Sequence, residues 1–191
     1  MMKLMTEMAS LRNHLLIAMP GLTDPNFAKS VTYLCDHSND GALGIVINRS
    51  SGMSMTQLLK QMEISCSNGR LSTAPVLIGG PVEPQRGFVL HMQPGPWMHS
   101  QSVGEQLYLT TSRDVLEALG QGQGPTDFLV ALGCAGWGSG QIEQEILDNS
   151  WLSTPATESI LFSTPLDQRW VQATTLLGVD PARLTEYSGR A

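Results

Sequence analysis

Four glycines, at positions 133, 136, 138 and 140, separate the apolar run Phe128 to Leu132 from a helix-like run, Gln141 to Trp151, which carries Ile142, Ile146 and Leu147 on one face. A glycine-rich junction between a buried strand and a helix constrains the backbone strongly, and such junctions often host ligands. The spacing G-x-x-G-x-G is not the G-x-G-x-x-G of a dinucleotide site, and no Lys-Ser or Lys-Thr follows to cradle a phosphate. Glu143 and Glu145 already complement the positive end of the expected helix and repel an anion there. The Gly133 to Gly140 segment is therefore expected to be a loop near the functional surface, without a nucleotide in it.

Composition bounds the rest. With 41% hydrophobic residues in 191, the chain suits one domain over 1–191 that buries roughly 70% of its unfolded surface. The formal net charge is −6 and the lysines are Lys3, Lys29 and Lys60, so no basic stripe exists to neutralise phosphates and direct nucleic-acid binding is not expected. Met1 to Ser10 has no long apolar core, so neither a signal peptide nor a membrane span is expected, and the cytoplasm is the expected location. Residues 1–12 are expected to form a loosely ordered segment. Cys35, Cys66 and Cys134 are odd in number and far apart, with no C-x-x-C, so free thiols, no metal and no cofactor are expected.

Punctuation divides the chain into elements. Leu15 to Met19 is an apolar run stopped by Pro20-Gly21, and Asp24-Pro25-Asn26-Phe27 reads as a short helical turn with an Asp N-cap. Val31 to Cys35 and Ala42 to Ile47 are strand-like, and the Asp40-Gly41 pair between them favours a hairpin. Ser54 and Gln57 form a capping box ahead of a helix through Leu58, Leu59 and Met62. Val76 to Ile78, Gly87 to His91 and Gln106 to Thr110 read as strands, joined by Gly79-Gly80-Pro81 and by a long loop from Met92 to Gly104. Ser112 caps a helix through Leu119 with Gly120 as its left-handed stop, and a last amphipathic helix runs from Thr164-Pro165 to Gly178 with Leu166, Trp170, Ala173 and Leu177 on one stripe. Strands and helices do not alternate strictly, which favours an α+β domain with a mixed, largely antiparallel sheet.

Leu16-Ile17-Ala18-Met19-Pro20, Asp24-x-x-Phe27, Ser30-Val31-x-Tyr33, Gly44-x-x-Ile47-Asn48-Arg49, Gly79-Gly80-Pro81-Val82, Arg86-Gly87-Phe88-Val89-Leu90-His91 and the Gly133 to Glu143 segment, taken together, resemble the AlgH/YqgE family of bacterial proteins, a family of unestablished biochemical activity. Asn149-x-Trp151-Leu152 and Phe162-x-x-Pro165 continue the similarity, so it covers nearly the whole chain. The resemblance implies an α+β fold with a bifurcated sheet and a small barrel-like part, flanked by helices. The family's name reflects a genetic link to alginate production in pseudomonads, and its description as a transcriptional regulator derives from that link. Ser50 stands where the family often has Pro, and Cys134 where Tyr is common.

The residues themselves offer several candidates. Cys134, between a strand and a helix, has the setting of a nucleophile elbow, but Leu132 occupies the position where an elbow needs Gly, so a small buried hydrophobe is the plainer reading. His37 and His91 end strand-like runs and are the nearest candidates for a base, although they form no metal-ligating pair. Glu143 and Glu145, two apart on a helix, read as solvated. Arg49 and Arg86, beside turns, suit a bidentate hold on a carboxylate or phosphate, against the plainer reading of ion pairs with Asp24, Asp36 or Glu83. Asn48 can satisfy turn backbone, and Gly79-Gly80 can offer N–H groups as an anion nest or simply turn tightly. Trp137, flanked by Gly136 and Gly138, and Trp97 are either interface aromatics or core caps.

Two functions follow from different classes. The first is a non-enzymatic regulatory protein that binds an unknown small molecule or protein, with Asp24, Asn48, Arg49, Gly79, Gly80, Arg86, Gly136, Trp137 and Gly138 around one cleft. The second is an enzyme, a hydrolase or a thiol-dependent activity, centred on Cys134. Hydrogen-bond reach between Cys134 and His37 or His91 separates them. A direct DNA-binding regulator stands third, since no recognition-helix motif is present.

Overall fold

The strand that starts at Phe128 does not stop at the glycines. In the computed structural model, which describes residues 9–187, it runs as β9 from Phe128 to Gly138. The expected loop is thus strand as far as Gly138; at Gly133 the backbone of Gly80, Val82 and Pro84 comes too close for a Cβ, while Gly136 and Gly138 are not crowded in this way. Around β9 the chain lays down β1 (His14–Ala18), β2 (Val31–Ser38), β3 (Gly41–Val46), β4 (Ser50–Ser54), β5 (Pro75–Ile78), β6 (Val82–Met92), β7 (Ser100–Ser102), β8 (Leu107–Thr110) and β10 (Trp151–Pro155). The sheet order is β10-β1-β2-β3-β9-β6-β8-β7, with β4 on β5 and β5 on β9. All pairings are antiparallel except β5 with β9. The α+β class holds, and the barrel-like part is a sheet curled into a half-barrel.

The fork lies where β5 wedges between β3 and β9. Val46 N–H donates to Gly79 O, and Gly79 N–H donates to Leu132 O. A Cβ on Gly79 would lie 2.2 Å from Gly133 O, and one on Gly80 2.2 Å from Cys134 O, so these glycines serve close backbone approach. Gly133, at φ 77°, inserts an extra residue: Leu129, Ala131 and then Cys134 face the same core, while Trp137 turns to another.

Helices cover both faces. α1 (Met55–Gln61), started by the Ser54–Gln57 capping box, and α2 (Arg113–Gly120) bury Leu58, Leu59, Leu116 and Leu119 against Val76, Val89 and Val130. On the opposite face Leu15, Ile17, Tyr33, Ile45 and Leu90 pack under Leu166, Trp170 and Leu177, around α4 (Arg169–Leu176). α5 (Pro181–Tyr187) follows. Gly120 is the last residue of α2, and the left-handed residue is Gly122; Gly120 is fixed instead by Ser65 O, 2.6 Å from where a Cβ would sit. Residues 1–8 of the expected loose segment lie outside the described residues. The described part is tied down: Leu11 N–H donates to His37 Nδ1, and the Arg12 guanidinium donates to the carbonyls of Ser102 and Val103.

α3 (Gln141–Leu147) is shorter than its apolar pattern suggests, because Asn149 at φ 58° ends it and Trp151 opens β10. That geometry builds a third core, in which Phe27, Trp137 and Trp151 meet at centroid distances of 5.7 to 6.1 Å. Glu145 Oε2 accepts the indole N–H of Trp137 at 3.0 Å and of Trp151 at 2.9 Å, and Oε1 accepts from Gln141. Glu145 is therefore a structural acceptor rather than a solvated helix end. Two bonds to a carboxylate and two otherwise buried donors predict that Glu145→Ala lowers stability by about 2 to 4 kcal/mol, read from denaturant unfolding monitored by tryptophan fluorescence. A loss within experimental error would show that the indoles find other acceptors.

Candidate functional site

Three of the polar candidates converge, but on one another. Asp24 Oδ1 accepts Asn26 N–H at 2.8 Å, and the Asp24 carbonyl accepts from Phe27 and Ala28. Asn48 donates to Lys29 O and accepts from Val31 N–H, both at 2.9 Å. Arg49 donates to the carbonyls of Pro25, Asn26 and Ala28 at 2.8, 2.5 and 2.7 Å. Together they clasp the 24–29 turn to the end of β3 and so hold Phe27 against the tryptophans. Arg49 lines neither of the two cavities, and its terminal nitrogens bond main-chain carbonyls rather than Asp24, Asp36 or Glu83. At Gly79-Gly80, where a nest and a tight turn were the alternatives, Gly79 N–H is bonded to Leu132 O. Gly136 and Gly138 sit in β9 opposite Leu43 and Gly41, and Trp137 is buried.

Arg86 stands apart from this clasp. It pairs with Glu83 at 3.2 Å, stacks over Phe88 at 5.4 Å, and lines a cavity of about 360 Å³. Buried Phe88, Leu109 and Cys134, with Leu43, form its apolar wall, continuous with the core inside the half-barrel. Glu83, Arg86, His99 and Gln101 supply its polar, exposed side. Two features of this site escaped sequence reasoning. Met98, His99, Ser100 and Gln101 belong to a stretch read as one long loop, although Ser100–Ser102 is a strand; no apolar alternation marks it. Glu83 lies in the first half of β6, whose five leading residues are all exposed and carry no strand pattern.

The thiol in the cavity is not poised for attack. Burial pushes the Cys134 thiol above its ordinary range, the Glu83 carboxylate adds to this, and Arg86 opposes it. Neither histidine is bonded to it among the described residues. His37 accepts from Leu11 N–H at Nδ1, so Nε2 carries the proton to Glu143 Oε1 at 2.8 Å; Glu143 thus holds a histidine rather than facing water alone. His91, fully buried, places Nδ1 at the carbonyls of Met92 and Gln93 and Nε2 at 2.8 Å from Thr110 Oγ1, between Trp97 and Tyr108. Among the described residues no cluster of three His, Cys, Asp or Glu is placed to hold a metal ion.

The model of the AlgH-like family matches residues 15–182. The chain belongs to that family. It is 52% identical over 184 residues to a UPF0301 protein of Methylococcus capsulatus, covering 96% of this chain and 98% of that one. A UPF0301 protein of Stenotrophomonas maltophilia is 50% identical over 180 residues, covering 94% and 96%. The solution structure of AlgH from Pseudomonas aeruginosa superposes with a TM-score of 0.78 at 43% identity, covering 96% and 97% of the two chains. A crystal structure of a Corynebacterium diphtheriae protein shares the fold, at TM-score 0.70 and 20% identity over 95% and 92%. No helix among the described residues is long and apolar enough to cross a membrane.

The clasp and the buried histidine each make a measurable statement. Arg49→Ala is expected to cost about 1 to 3 kcal/mol in denaturant unfolding, the range for hydrogen bonds from a charged group, because three carbonyls lose their donor. An unchanged midpoint would return Arg49 to the list of ligand-binding groups. Burial lowers the folded pKa of His91 below its ordinary 6.5, with the Met92 and Gln93 carbonyls opposing. The unfolded chain then takes up the proton first, so His91's contribution to stability is complete above 6.5 and is lost as pH falls from there toward the lower folded value. Unfolding free energies on either side of that value should show the decline, and His91→Gln should shrink it.

Proposed function

We propose that this AlgH-like protein is a non-enzymatic binding protein of the cytoplasm, regulatory in role, and that its ligand or protein partner engages the cavity beside Arg86. One observation carries the reading: an apolar wall of Phe88, Leu109 and Cys134 faces an exposed guanidinium whose charge, among the described residues, is opposed by Glu83. Concave sites that combine an apolar wall with a few polar groups are where ligands bind. Arg86 and Glu83 are 51% and 54% exposed, so their pair is worth little to the fold and yields to a ligand carboxylate, which a guanidinium accepts bidentately. The upward push that burial gives the Cys134 thiol, and the absence among the described residues of a histidine bonded to it, weigh against the thiol-dependent alternative. The acidic chain favours regulation through a bound ligand or partner over direct contact with DNA.

A titration with small carboxylates, followed by amide and methyl NMR, tests this. Saturable shifts are expected at Arg86, Phe88, His99 and Cys134, and Arg86→Ala should weaken binding by about 1.5 to 3 kcal/mol while the unfolding midpoint stays put. Binding elsewhere, or binding indifferent to Arg86, sinks the assignment. Salt-sensitive, sub-micromolar duplex binding in a mobility shift would instead support the direct regulator.

A further inference from the structure

β6 is an eleven-residue strand whose two edges are used unequally. On one edge it pairs with β9 at Val82 and from Gly87 to His91; on the other, β8 covers only Val89 to Met92. Beyond Thr110 the chain makes one more main-chain bond, Thr111 N–H to His99 O on the β7 side, and turns away into α2 at Arg113. Among the described residues no strand therefore lies beside Val82 to Gly87 on the β8 side, and Val82 to Arg86 are exposed. Main-chain donors and acceptors left without a neighbouring strand, here on either side of the bulge between Val82 and Gly87, are a template for another strand.

The side chains of the same stretch divide between two cavities. Glu83, Arg86 and Phe88 line the one already described, while Pro84, Gln85, Gly87 and Val89 line a second of about 450 Å³. The far walls of the second are Leu58 from α1, Met62 just beyond its end, Leu116 from α2, and Leu132, so it is the more apolar of the two. Thr111 lines both, at the point where β8 gives out. Successive side chains of an extended chain point to opposite faces, so a strand laid on this edge presents one set to each cavity. Val82 and Met98 are 45% and 80% exposed, and both belong to this region: Val82 opens the free edge and Met98 lines the first cavity.

We propose that Val82 to Gly87 is a docking edge for an extended peptide segment of another protein. The segment adds to the half-barrel as a strand, with an apolar side chain toward Leu58, Met62 and Leu116 and a carboxylate-bearing side chain toward Arg86. This deepens the binding reading given above and rests on it. Pro84, which has no N–H, and the bulge in which Glu83 takes a φ of 47° interrupt the edge and suppress indiscriminate pairing. Main-chain bonds supply affinity in this mode and the two cavities select the side chains. Arg86 sets the charge: its carboxylate contact is the exposed Glu83, which an incoming carboxylate replaces.

The probe is a capped heptapeptide alternating valine with aspartate, titrated into the full chain with amide shifts and amide exchange as readouts. Expected are saturable shifts and slowed exchange from Val82 to Phe88. Methylation of the peptide nitrogens on alternate residues, which removes their donors, should weaken binding about tenfold, the worth of roughly one hydrogen bond. Arg86→Ala should weaken the valine–aspartate peptide more than a valine–serine one. If the peptide shifts the Arg86 cavity but nitrogen methylation changes nothing, the strand proposal fails while the binding reading stands. If no saturable shift appears, the strand proposal is overturned, and the carboxylate titration decides the binding reading on its own. If the chain alone dimerises with the same amides protected, the edge belongs to a second copy and a foreign peptide is ruled out.

Discussion

At Gly79, Gly80 and Gly133 two backbone segments meet at distances that admit no side chain, and the rest of the molecule is arranged around that contact. Gly133 O lies 2.2 Å from where a Cβ of Gly79 would be, and Gly80 O lies 2.4 Å from where a Cβ of Gly133 would be. The contact lets β5 enter between β3 and β9, so one strand serves two branches of the sheet. Left-handed Gly133 also resets the alternation of β9. Cys134 is thereby delivered to the cavity wall and Trp137 to the opposite core, three residues apart on one strand.

Charge is used sparingly and locally. Arg49 is spent on carbonyls, and Arg169, buried in α4, bonds Thr164 O and Ile47 O, with burial pulling its pKa down to about 10. Glu145 is spent on indoles and Glu143 on His37. Arg86 differs from these because its partner is an exposed carboxylate at short sequence separation, which contributes little to stability. A cation that the fold does not need, beside an apolar wall, is the physical content of the binding assignment.

The hairpin of β2 and β3 and the capping box of α1 were legible because each rests on local chemistry: the Asp40-Gly41 pair and the Ser54–Gln57 reciprocity. Gly133 misled because glycine marks a turn and a close approach of backbones alike, and only the partner segment at Gly80, more than fifty residues away, distinguishes them. Arg86 was legible as a candidate, whereas Asp24, Asn48 and Arg49 carry the same residue chemistry and turn inward to backbone. His99 and Gln101 had no signal, since a three-residue edge strand is too short for alternation to show.

The central position of β9 has a bearing on biosynthesis. Every strand from β1 to β8 leaves the ribosome before it, yet β3, β5 and β6 all find their shared neighbour only in residues 128–138. Until those residues emerge, the nascent chain carries three strands with an unmatched edge, and apolar β5, Pro75–Ile78, is among them. Such edges invite association between chains. The interval between the synthesis of Ile78 and that of Gly138 is thus when this protein most depends on slow translation, low concentration or a chaperone, and a fragment ending before Phe128 is expected in inclusion bodies rather than in solution.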